Sequence, residues 1–278
     1  MNVKSSSSPA GPTAHALRAI AVAALGLGCF SAWALPSFTL NPLAASPALN
    51  GGSVTADNIV VSDYAHVKLN PVLGTFTEIG LLSVQSFQLG GSVASSPGLN
   101  STYGLYISFT GAGTQQFGSN PLTGFTAGSF TSLDYKLWGY NGATASFGFD
   151  AASNATTTAM GAVVLGSGSL LQGSVSTSPA MNGTKYSFVP SANATVTFAE
   201  ASGEAGFFQA PAGFYNLAFA AFTNTVSQVE VLSATEFRIR QGGGAFNFAA
   251  TPVPEPETYA LMLAGLTVVG FVANRRKS

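Results

Sequence analysis

Apolar and polar residues alternate with a period of two over most of this chain. Tyr103, Leu105, Ile107 and Phe109 stand between Gly104, Tyr106, Ser108 and Thr110, the pattern of a strand with one buried face. Leu133, Tyr135 and Leu137 form one row, and Asp134, Lys136 and Trp138 form the other. Tyr215, Leu217 and Phe219 alternate with Asn216 and Ala218, and Phe237 and Ile239 with Glu236, Arg238 and Arg240. Further strands are predicted over Asp57–Leu69, Thr75–Leu89, Ala145–Asp150, Gly161–Leu165, Leu170–Val175, Lys185–Val189, Thr195–Glu200 and Ala245–Phe248. Turn formers separate them: Asn50-Gly51-Gly52, Ser96-Pro97-Gly98, Asn141-Gly142, Asn182-Gly183 and Gly242-Gly243-Gly244. Between residues 35 and 251 no window carries a helical stripe, and no exact internal repeat is present. The expected fold is all-β, an antiparallel β-sandwich or jelly roll. Two flexible segments are expected, Pro36–Gly52 and Gly242–Glu257, the second acting as a stalk.

The two ends depart from this pattern. Residues 1–34 read as a secretory signal with an apolar helix. His15 and Arg18 precede the apolar stretch Ala19–Phe30, and Ala32-Trp33-Ala34 supplies a small-x-small cleavage site. The mature chain then begins at Leu35. Cys29, the only cysteine, lies in the leader, with Gly26 where a lipoprotein signal places a Leu-like residue. The mature protein is therefore expected to have no disulfide and no thiol chemistry.

The other end, residues 252–278, has three parts in order. Val253, Pro254, Glu255, Pro256 and Glu257 form a Pro-rich entry, 259–273 is an uncharged apolar run, and Arg275, Arg276 and Lys277 close it. Pro254 and Pro256 hold Glu255 in extended backbone and exclude helix. As a helix, the apolar run spans about 23 Å, short of a ~30 Å hydrocarbon core, so it suits a transient anchor. The basic cluster fixes its end on the cytoplasmic side. These residues resemble the PEP-CTERM sorting signal of Gram-negative bacteria. The resemblance implies the Sec machinery and an exosortase as partners, transient inner-membrane anchoring, cleavage near Pro254-Glu255-Pro256, and release to the cell surface or matrix.

Residues 35–251 make one extracellular β domain of 217 residues, long enough to bury a sizeable core. Five bases against nine acids leave it a net charge of −4. Ser, Thr, Asn, Gln and Gly must therefore cover the surface. No basic patch is available to neutralise phosphates, so nucleic-acid binding is not expected. Weak repulsion between copies suits an assembled matrix.

Little catalytic chemistry is legible. A Ser-His-Asp triad has only His66 to use, with Asp63 or Asp57, and no G-x-S-x-G elbow is present. His66 reads as a structural histidine in a strand. Glu200 and Glu204 are a formal glycosidase pair, but Ala201-Ser202-Gly203 reads as a turn between them. Gly166-Ser167-Gly168 lacks the Lys and helix of a phosphate loop. One histidine and no cysteine exclude the usual zinc and copper sites, and no calcium-loop spacing appears. Asn154, Asn182 and Asn193 head chance glycosylation triplets. Trp138 and Tyr140 are candidates for sugar stacking if their strand face is open, and core residues if it is covered. No enzyme and no cofactor is expected.

Residues 35–251 also resemble flocculation-associated PEP-CTERM proteins. The resemblance runs through Thr55-Ala56-Asp57, Ser62-Asp63-Tyr64, Tyr103-Gly104-Leu105-Tyr106, Gly166–Gly173 and Phe207–Phe219. The cysteine pair of some relatives is absent here. It implies a noncatalytic surface or matrix protein that promotes floc or biofilm aggregation with exopolysaccharide, and it offers no catalytic residues. An ice- or carbohydrate-binding module with the same tail is the alternative, although no sustained T-x-T ladder is present.

Overall fold

The predicted alternation becomes strand in a computed structural model that describes residues 35–116, 126–182 and 185–249. Its strands are β1 (Phe38–Leu40), β2 (Val54–Ala56), β3 (Asn58–Asn70), β4 (Thr75–Leu89), β5 (Ser92–Val93), β6 (Tyr103–Gln115), β7 (Thr126–Asn141) and β8 (Phe147–Phe149). They continue as β9 (Ala155–Thr157), β10 (Val163–Asn182), β11 (Lys185–Thr197), β12 (Ala199–Glu200), β13 (Phe208–Ala210), β14 (Leu217–Thr223), β15 (Val229–Val231) and β16 (Glu236–Ala249).

The long strands close into a ring. β3 pairs with β4, then β6, β7, β10, β11, β14 and β16 follow, and β16 pairs back with β3, every step antiparallel. This differs from the expected sandwich or jelly roll, while the all-β antiparallel character is as predicted. Both architectures bury one face of each strand, so period-two alternation is the same in each. Closure is decided by register, which the alternation does not encode. Bulges between Val60 and Val61, Ala112 and Gly113, Val164 and Gly166, and Arg240 and Gly242 add the local coiling that a closed sheet needs.

Two glycine-rich stretches read as breaks are strand interior instead. Gly166 and Gly168 lie within β10, which runs unbroken where two short strands were predicted. A β-carbon on Gly168 would fall on the Thr197 carbonyl oxygen and 2.7 Å from Tyr135 Cε1, so close approach of β11 demands glycine there. Gly242–Gly244 lie in β16, paired with β3 and β14, so the expected stalk cannot begin before Ala249. The expected flexible entry is ordered too. Pro36–Gly52 contains β1 and a 3-10 turn at Pro42–Ala44, and the amide of Ser46 donates to the Glu204 carboxylate at 3.1 and 3.3 Å.

Inside the ring, one apolar cluster fills the end where β4, β11 and β16 carry Phe87, Val196 and Phe248. The small sheet β13-β1-β2 plugs this end with Phe38, Leu40, Val54, Ala56 and Phe208, all buried. Phe248 sits edge-on to Phe198 at 4.7 Å, to Phe214 at 4.9 Å and to Phe38 at 5.1 Å. A smaller cluster at the other end gathers Ala65, Val67, Phe188, Phe237 and Ile239. Most apolar rows point inward and most polar rows outward, the reverse of a lipid-facing barrel, but β14 is inverted relative to expectation: Ala218 is buried and Phe219 is 40% exposed. Among the described residues no helix is long and apolar enough to cross a membrane.

Candidate functional site

The residues singled out for enzyme chemistry do not assemble. Asp63 points into the ring and His66 to the outside of the same strand, because an odd spacing puts neighbours on opposite faces. His66 is 7% exposed, and its Nε2 lies 3.5 Å from the Glu236 carboxylate without making a hydrogen bond to it. Asp57 accepts a hydrogen bond from the amide of Gly90 at 2.7 Å. Glu204 holds the Ser46 amide, and Glu200 pairs through its backbone with Gly166 of β10. Partial burial pushes the Glu200 carboxyl up from its ordinary value. Both glutamates thus bind the chain to itself.

Of the aromatic pair proposed for sugar stacking, Tyr140 is buried and Trp138 is half-buried against its neighbours. Tyr140 is 3% exposed, and its hydroxyl accepts the amide of Ala145 at 3.1 Å. Trp138 stacks on Tyr106 at 6.0 Å, and its indole N–H donates to Ser108 Oγ at 2.8 Å. Phe147 of β8 packs against this cluster from outside. The loop after β7 therefore occupies the face that a sugar ring would need.

The open surface lies further along the same strands, where side chains are short and uncharged. Across β7, β10, β11 and β14 the outward rows read Ser129, Ser174, Asn193, Ala221 and, two residues on, Ala127, Ser176, Ser191, Thr223. Ser176 and Ser191 meet oxygen to oxygen at 2.8 Å, and Asn193 Nδ2 donates to Ser174 Oγ at 2.9 Å. Each hydroxyl and amide keeps further donor and acceptor capacity toward solvent. Sequence reading noted the composition but not this patch, because only register brings the rows into line.

Inside the ring the sequence reading missed a second feature. Between the two apolar clusters lies a cavity of roughly 80 Å³ whose walls include Asp63 and Glu78. Burial pushes the Glu78 carboxyl up to about 7, and burial together with the Glu78 charge raises Asp63 well above the usual carboxylate range. Their positions in apolar rows, between Val61 and Ala65 and between Phe76 and Gly80, were the available signal.

The signal peptide 1–34 with Ala32 and Ala34, the sorting residues Val253, Pro254, Glu255, Pro256 and Glu257, the apolar segment 259–273, and Arg275, Arg276 and Lys277 lie outside the described residues. Leu35 is the first described residue and is exposed. The family described as the PEP-CTERM protein-sorting motif matches residues 252–277. No curated protein and no solved structure matches the chain.

Proposed function

We infer from the PEP-CTERM motif at residues 252–277 that this chain is an exosortase-sorted protein exported through a Gram-negative cell envelope to the surface. From that premise, we propose that this is a noncatalytic surface or matrix protein that promotes floc or biofilm cohesion through exopolysaccharide. The observation that carries the reading is the sorting motif at 252–277, which starts three residues after the last ring strand ends at Ala249. The Sec machinery passes the chain outward, the 259–273 segment anchors it transiently in the inner membrane, and the exosortase removes that segment. The ring is then left at the surface with the Ser/Thr/Asn rows of β7, β10, β11 and β14 open to polymer. Those rows suit a neutral, hydroxyl-rich partner, since they bring hydrogen-bonding groups without charge. The resemblance to flocculation-associated proteins supports the same reading.

The test is deletion of the gene in its source bacterium, scored by settling rate and by the protein content of the washed matrix. Slower settling, restored by the intact gene but not by one truncated after Ala249, is the expected result. Unchanged settling overturns the cohesion role, whatever the fate of the tail.

A further inference from the structure

The interior cavity is short of donors and rich in acceptors. Asp63 is 3% exposed and its Oδ1 has no hydrogen-bond partner; Asn224, also 3% exposed, has an unpartnered Oδ1 as well. The two are neighbours through the ladder. Gly242 stands directly opposite Asp63, and a β-carbon on Gly242 would fall on Asn224 Oδ1. Directly opposed residues project to the same face about 5 Å apart, so both free oxygens lie at one place on the wall. The bulge at Gln241, with φ +55°, sets this up by turning Gly242 inward after the outward-facing Arg240.

The donors near the cavity are already engaged. Gln115 Nε2 donates to Thr126 Oγ1, which meets Thr177 Oγ1 at 2.6 Å. The Tyr135 hydroxyl donates to the Thr197 carbonyl at 2.8 Å, and Asn224 Nδ2 to the Pro190 carbonyl at 3.2 Å. Among the described residues, Asp63, Glu78 and Tyr135 are the titratable groups that line the space, and no Lys or Arg does. Most of the remaining wall is aliphatic or phenyl, including Leu82, Ile107 and Phe130. A buried acceptor without a donor is costly, and a buried carboxylate without a countercharge more so.

We propose that this cavity binds a short aliphatic amine as its ammonium ion, the nitrogen donating to Asp63 and Asn224 and the hydrocarbon lying against the apolar wall. An ammonium brings three donors and a positive charge to a place that offers acceptors and carboxyl groups. At 10–15 Å³ for each water-sized centre, the volume suits on the order of five to eight non-hydrogen atoms. n-Butylamine has that size. In the empty site, burial first and the Glu78 charge second oppose ionisation of Asp63. Occupied, Asp63 ionises against the ammonium, and a proton leaves to solvent.

Calorimetric titration of the protein purified from its host, at neutral pH in two buffers of different ionisation enthalpy, tests this. n-Butylamine should bind at least tenfold more tightly than 1-butanol and release protons on binding. Asp63→Asn should weaken the amine at least tenfold while leaving 1-butanol unchanged. Equal binding of amine and alcohol would reduce the cavity to an apolar void. Binding of neither would make it a water site, and calcium chloride displacing the amine would make it a metal site. Each of those three results overturns the proposal. Should the Asp63 variant not fold, the amine-to-alcohol ratio on the unaltered protein still decides it.

Discussion

Replacing Glu78 by Gln should make the protein more stable at alkaline pH and leave it nearly unchanged in acid. Glu78 sits in an inward row of β4 between Phe76 and Gly80, and desolvation raises its pKa from 4.5 to about 7. The folded state therefore holds a proton there that the unfolded chain releases above pH 4.5. Stability from this group is fully present below pH 4.5 and is lost as pH rises to about 7. At 1.36 kcal/mol for each pH unit, the loss is about 3 kcal/mol. Asp63 shifts in the same direction, through burial first and the Glu78 charge second, so removing that charge also relieves Asp63. Urea unfolding at pH 4 and pH 8, at one ionic strength, reads the effect. With a slope of roughly 1–3 kcal/mol per molar urea, the variant's midpoint should exceed that of the unaltered protein by about 1 M or more at pH 8. At pH 4 the two should nearly coincide, because Gln and a protonated Glu are close in shape and hydrogen bonding. A difference that does not change with pH, or a variant less stable at pH 8, would refute the assignment of Glu78 to a desolvated site.

Gly168→Val should lower the melting temperature by about 2–12 °C, since its side chain would drive into the Thr197 carbonyl and the Tyr135 ring at a cost of about 1–3 kcal/mol. Scanning calorimetry checks it. Glu204→Ala strips the Ser46 amide of its buried carboxylate acceptor and should cost about 1–3 kcal/mol in urea unfolding, with the Pro36–Gly52 segment becoming the first to be cut by protease. Ser174→Asp combined with Ser176→Asp places charge on the open polar rows. It should reduce retention on the host's exopolysaccharide while changing the melting temperature by less than 3 °C, and unchanged retention would remove those rows from the binding surface.

Strand positions were legible wherever alternation was long, as in β6 and β7, because burial of one face fixes a period of two. Closure was not, since it depends on β16 pairing back with β3, and no turn signal links two strands so far apart in sequence. Glycines misled for a related reason. Gly168 and Gly244 carry no turn; each sits where a neighbouring strand's backbone or a ring, Thr197 or Phe222, occupies the place of a β-carbon. A one-dimensional pattern records that a glycine is present but not what it makes room for. The sorting tail was legible because its recognition is local: a Pro-rich entry, an apolar run and a basic end need no tertiary partner to be read. Asp63 was visible only as a triad candidate, and the residue that completes its surroundings, Asn224, lies beyond β14 in sequence.

Closure also bears on how a weakly charged exported protein avoids uncontrolled association. With so few charges, copies repel one another little, and an open sheet of this length would expose a long unpaired edge to its neighbours. In the ring every long strand has a partner on both sides, so strand addition has no long template. Cohesion on the proposed reading must then run through side chains on the outer face, where hydroxyl and amide groups make many weak, reversible bonds to a polymer. That places the adhesive property in the rows led by Ser174 and Ser176 rather than in the backbone. It follows that cohesion should weaken in a competing soluble polyol or polysaccharide and should not produce the thioflavin-positive fibres that edge-to-edge pairing would give.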